Sequence, residues 1–61
     1  MPSEEVRRLL KLFGVAVTEF EDAVHQDAAP DELRKREAEV RARLEELEAL
    51  IERLRRRISE E

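Results

Sequence analysis

The stretch "HQDAAPDELRKR", residues 25–36, decides the fold. Pro30 has no N–H to offer a helical ladder, and its ring clashes with the preceding turn, so one continuous helix through it is disfavoured. At the first position of a new helix, however, the missing donor costs nothing, and Asp31 and Glu32 then face the positive end of the new dipole. The stretch is therefore a break between two helices, with the turn around residues 27–30.

Working outward, Pro2-Ser3-Glu4-Glu5 reads as a start signal, with Ser3 as N-cap and two carboxylates in the first turn. These signals predict one domain over residues 1–61, all-α, built as a helical hairpin from helices of about 3–26 and 30–59. The chain has no repeat and no low-complexity linker.

A chain of 61 residues is small for a self-sufficient core. Domains of this size bury only about 60% of their unfolded surface, and such a core rarely supplies more than ~3–5 kcal/mol. There are no cysteines and one histidine, so neither disulfides nor a structural zinc site can make up the difference. Oligomerisation is the remaining source of stability.

The net charge of −4 gives no overall attraction to nucleic acid or anionic lipid. No apolar run approaches the ~20 residues of a membrane span, and the N-terminus lacks the pattern of a signal peptide. The expected location is cytoplasmic.

The apolar patterns of the two helices differ. In helix two, Leu33, Val40, Leu44, Leu47, Ile51, Leu54 and Ile58 recur at steps of three and four, interrupted by Glu37. This is a narrow heptad seam with branched residues at a and mostly leucine at d. Pairs such as Asp31/Lys35, Glu32/Arg36, Glu37/Arg41, Glu39/Arg43 and Glu52/Arg56 are spaced to lace the outer face. A parallel coiled coil through helix two alone would set Arg36 against Arg41 of a partner helix, whereas packing against the Glu5 and Glu19 flank of helix one relieves that repulsion.

Helix one carries a wider face. At about 100° per residue, Val6, Leu9, Leu10, Phe13, Ala16, Val17, Phe20, Ala23 and Val24 span more arc than one neighbour covers, and Leu12 widens it. Such a helix belongs inside a bundle, touching two neighbours. Ala16 and Ala23 mark a side where another helix can approach closely. A turn near Ala28 and Ala29 makes helix one run out near Leu54, so Ile58 projects beyond it with no partner in its own chain. These features predict a dimer of hairpins forming a four-helix bundle. Its interface would draw on Val6, Leu9, Leu10, Leu12, Phe13, Ala16, Val17 and Phe20 of helix one and Leu44, Leu47, Ile51, Leu54 and Ile58 of helix two.

Three groups are candidates for chemistry. Asp22 and His25 have the carboxylate-x-x-His spacing of a metal pair, but both point away from the apolar face, which favours a solvated surface role. Glu37 interrupts the seam near the helix start, where Arg34 or Arg41 can pair with it; an acid/base role would need a pocket and a second group. Arg53, Arg55, Arg56 and Arg57 complement the dipole at the end of helix two. The hairpin brings Arg7, Arg8 and Lys11 to the same end, where phosphate contact is conceivable, against Glu4, Glu5, Glu52, Glu60 and Glu61. With no Trp or Tyr for base stacking, nucleic acid is the less favoured partner.

No phosphate-cradling loop can be made from a single glycine, and Ser3 and Ser59 stand at helix ends, where capping explains them. The sequence therefore predicts no enzyme, no cofactor and no small-molecule substrate. It predicts an interaction, scaffold or regulatory protein whose partner is itself or another helical protein. The alternatives are a nucleic-acid-binding regulator and a subunit or fragment of a hetero-oligomer.

Overall fold

The computed structural model describes residues 3–59, Ser59 by its backbone alone. Pro2 of the start signal, and Glu60 and Glu61 of the basic end, lie outside the described residues. Two helices, α1 (Glu4–His25) and α2 (Pro30–Ser59), pack against each other as an α-helical hairpin. Ser3 caps α1 as expected, its Oγ accepting the Val6 N–H at 3.1 Å.

α1 stops one residue short of the expected Gln26. The Ala28 N–H reaches back to the Ala23 carbonyl and the Asp27 N–H to that of Val24, the two bonds of a Schellman ending. That ending needs a left-handed residue, and Asp27 supplies it at φ 53. Ala28 is half-buried next to buried Ala23, the small apolar contact that accompanies this motif. The Ala29 carbonyl then accepts from the Leu33 N–H, and Pro30 begins α2.

The seam between the helices is not the heptad row read from α2 alone. Leu9, Ala16 and Ala23 of α1 and Leu50 of α2 are the buried residues. On α2 the half-buried row runs Leu33, Arg36, Val40, Arg43 and Leu47 up to Leu50. Leu44, Ile51 and Ile58, the expected a positions, are exposed, Ile51 at 62%. Arg36 and Arg43 are half-buried in this row and pair with Glu32 and Glu46, as a long side chain can do when its methylenes cover apolar surface and its charged head stays in water.

Both helices expose one side, and it is the same side. Five of the exposed large apolar residues follow a seam residue by one: Leu10 after Leu9, Val17 after Ala16, Val24 after Ala23, Leu44 after Arg43 and Ile51 after Leu50. A step of one residue turns each right-handed helix by about 100°. In two antiparallel helices these turns, viewed from one end, run in opposite senses and so lead to the same face of the pair.

The opposite edge is polar. Arg36 bonds to Glu32 at 2.8 Å and lies 3.5 Å from Glu19 across the seam, and Arg53 pairs with Glu5 near the open end. The expected relief of α2's basic flank by Glu5 and Glu19 is thus realised. Of the outer pairs, Glu32/Arg36, Glu37/Arg41 and Glu52/Arg56 form as read. Two do not: Asp31 pairs with Arg34 instead of Lys35, and Arg43 with Glu46 instead of Glu39. Neighbours three and four residues away lie equally near on a helix surface, so spacing alone does not choose between them.

The hairpin is a slab measuring 50 × 20 × 12 Å. Its thinnest dimension equals about one helix diameter of 10–12 Å, whereas stable domains are built from at least two packed layers. Its radius of gyration is 14.7 Å, against about 10.5 Å for a compact chain of this length.

Candidate interaction surface

Two rows of apolar side chains build the exposed face. On α1, Val6, Leu10, Phe13, Val17, Phe20 and Val24 alternate steps of four and three, a complete heptad row beside the one used in the seam. Val6, Phe13 and Phe20 are half-buried at its inner margin, while Leu10, Val17 and Val24 stand out, Leu10 at 54% exposed. On α2, Leu44, Ile51 and Ile58 continue the face, with Leu54 also exposed. Ile58, at 74%, is the most exposed of these, as expected for an overhang past the start of α1.

The residues expected at an oligomer interface thus divide into two sets. Leu9 and Ala16 are buried in the hairpin's own seam, and Leu12 and Leu47 are half-buried. Val6, Leu10, Phe13, Val17 and Phe20 on α1, and Leu44, Ile51, Leu54 and Ile58 on α2, retain surface for a further partner. Sequence reasoning missed Leu50. Its signal was a second row of three-four steps through Leu33, Arg36, Val40, Arg43, Leu47 and Leu50, masked by the two arginines.

Val15 lies exposed on the other side of α1. At Gly14 an added Cβ would meet nothing within 4 Å, so no close approach within the chain calls for that glycine. The Thr18 hydroxyl donates to the Gly14 carbonyl at 2.8 Å.

The polar candidates sit away from this face. Asp22 and His25 are exposed, and among the described residues no group of three or more His, Cys, Asp or Glu is gathered where it could hold a metal ion. Glu37 is half-buried and takes Arg41 as its partner at 2.7 Å. Arg36 lies beside Glu32, Glu19 and Glu39; its hydrogen bond to Glu32, then that carboxylate's charge, raise the guanidinium pKa above its already high ordinary value. It is a fixed cation that clamps the polar edge.

Arg7, Arg8, Lys11, Arg53, Arg55, Arg56 and Arg57 are all exposed and gather at the open end, as the hairpin requires. Among the described residues two of them are engaged, Arg53 with Glu5 and Arg56 with Glu52 at 3.8 Å. Among the described residues no helix is long and apolar enough to cross a membrane. Compared with protein-family models, curated proteins and solved structures, the chain matches none.

Proposed function

We propose that this protein is a non-catalytic interaction module that works by burying its exposed apolar face against another helical surface. One observation carries the reading: apart from Val15, the large apolar residues left uncovered fall on one side of a slab one helix thick, in heptad rows on both helices. Scattered apolar residues on a surface are ordinary, whereas a contiguous patch rimmed by polar groups marks an association site.

The area supports this. The hairpin exposes 5261 Å², while a compact protein of its 7.2 kDa mass exposes about 4,100 Å². The excess is of the order that each partner contributes to a standard interface, about 800 Å².

The test is a pair of charges on the face, Val17→Glu with Ile51→Glu. Both sites are exposed in the hairpin, so the variant keeps its helices. The wild-type chain should self-associate in sedimentation equilibrium or, where monomeric, bind an apolar dye, and the variant should do neither. A wild-type chain that stays helical, monomeric and blind to the dye overturns the reading.

Phosphate contact through the basic end is the weaker reading, since Arg53 and Arg56 already hold carboxylates. It requires a salt-dependent gel shift that is lost when Arg53, Arg55, Arg56 and Arg57 become Gln.

A further inference from the structure

We infer that the partner covering this face is a second copy of the chain, laid across it with its turn beside the first copy's open end, so that α1 packs on the partner's α1 and α2 on the partner's α2. The inference rests on the association reading above and specifies the occupant.

The exposed row of α1 is self-complementary when run antiparallel. Centring two copies on the middle of α1 sets Val6 against the partner's Val24, Leu10 against the partner's Phe20, and Phe13 against the partner's Val17. Every layer is apolar, each phenylalanine meets a smaller side chain, and the two helices overlap along their whole length. Antiparallel heptad rows pack knobs into holes in this manner.

The rim agrees. Arg7, Gly14 and Glu21 occupy one heptad position just outside the row, and all are exposed. Like positions flank each other in an antiparallel pair, so Arg7 meets the partner's Glu21 and the central Gly14 meets the partner's Gly14, bringing no charge to the axis.

The same two-fold carries α2 into register. Ile51 falls on the partner's Leu33 and Leu44 on the partner's Val40, while on the rim Arg34 meets the partner's Glu48. One pair of like charges results, Arg41 with the partner's Arg41, and each of these already holds its own Glu37.

The other face-to-face two-fold, with both turns at one end, packs α1 on the partner's α2. It sets Phe20 against the partner's Glu37, but the first arrangement sets Leu47 against the partner's Glu37, so the desolvation cost of that carboxylate falls on both and does not choose between them. The second arrangement, however, stacks like ends. By sequence, the open end holds Arg7, Arg8, Lys11, Arg53, Arg55, Arg56 and Arg57 against Glu4, Glu5, Glu52, Glu60 and Glu61, and the turn holds Glu19, Glu21, Asp22, Asp27, Asp31 and Glu32 against Arg34, Lys35 and Arg36. Opposed orientation brings the basic end of one copy to the acidic end of the other, and complementary charge fixes register.

The experiment is sedimentation equilibrium of the full chain and of Arg7→Glu, Glu21→Arg and the double variant, with circular dichroism confirming helicity. Exposed ion pairs are individually weak, but each single reversal acts twice through the symmetry, so the dimer constant should weaken roughly tenfold. The double variant exchanges the charges and should return to within about threefold of wild type. That restoration supports the arrangement.

A double variant weaker than either single places α1 against the partner's α2, where Arg7 would face the partner's Glu48 and Glu21 the partner's Arg34, and overturns it. So do three variants that dimerise like wild type. A wild-type chain that is monomeric at hundreds of micromolar yet binds the apolar dye overturns the second copy as occupant while leaving the association surface standing.

Discussion

Leu50 and Ile51 are adjacent in sequence and opposite in consequence. Leu50 is 8% exposed at the seam, and truncation to Ala removes three buried carbons. At about 0.8 kcal/mol per buried CH₂, the loss is roughly 2.5 kcal/mol before any term for the void. That is most of the ~3–5 kcal/mol that a core of this size supplies. Ile51 keeps most of its surface in the hairpin, so Ile51→Ala should cost the isolated hairpin under about 1 kcal/mol by the same area reasoning. Its full cost appears only when a partner covers it. The assay is urea unfolding followed by circular dichroism over a range of protein concentrations. With a slope near 1 kcal/mol/M for so small a chain, Leu50→Ala should lower the midpoint by about 2.5 M or abolish the folded baseline at every concentration. Ile51→Ala should approach wild type at high dilution and fall behind it as concentration rises. Equal losses for the two variants at the lowest concentration would refute the assignment of the seam to Leu50.

Two further substitutions test local backbone readings. Gly14→Ala should stabilise the helix by about 1 kcal/mol, because a mid-helix glycine loses more entropy and the added methyl meets open space; for a chain this small the thermal midpoint should rise by about 4–8 °C, and a fall would mean that another backbone approaches there. Asp27→Gly should add about 0.5–1 kcal/mol, since glycine adopts the left-handed ending without strain and the change removes a negative charge at a helix C-terminus; unchanged or lower stability in chemical denaturation would contradict that account.

The hairpin was legible because its punctuation is local. Ser3 caps, Pro30 starts α2 and the acidic first turns follow, each acting through atoms within one helical turn. Both expected ends of α1 are its caps, Ser3 and Gln26, and the left-handed residue that closes the Schellman ending is Asp27, in the place that glycine usually marks. The exposed face was half legible. The width of α1's apolar arc showed that it needs two neighbours, and the seven-residue spacing of Leu44, Ile51 and Ile58 showed a row on α2. Which row meets which neighbour was not, because polarity hid the seam: Arg36 and Arg43 read as surface residues, while both are half-buried in that row.

The sequence by itself determined two amphipathic helices, the break between them and an apolar surface larger than one hairpin can bury. The tertiary structure decided how that surface is divided. α2 docks on the Leu9, Ala16 and Ala23 line because two alanines let the backbones come close, and Glu5 and Glu19 stand ready there for Arg53 and Arg36. With that side used, the right-handed turn of both helices leaves Leu10, Val17 and Val24 beside Leu44 and Ile51 on a single face. Each helix alone carries two overlapping rows, and the small residues of α1 with the ion pairs beside them accompany the one the hairpin uses.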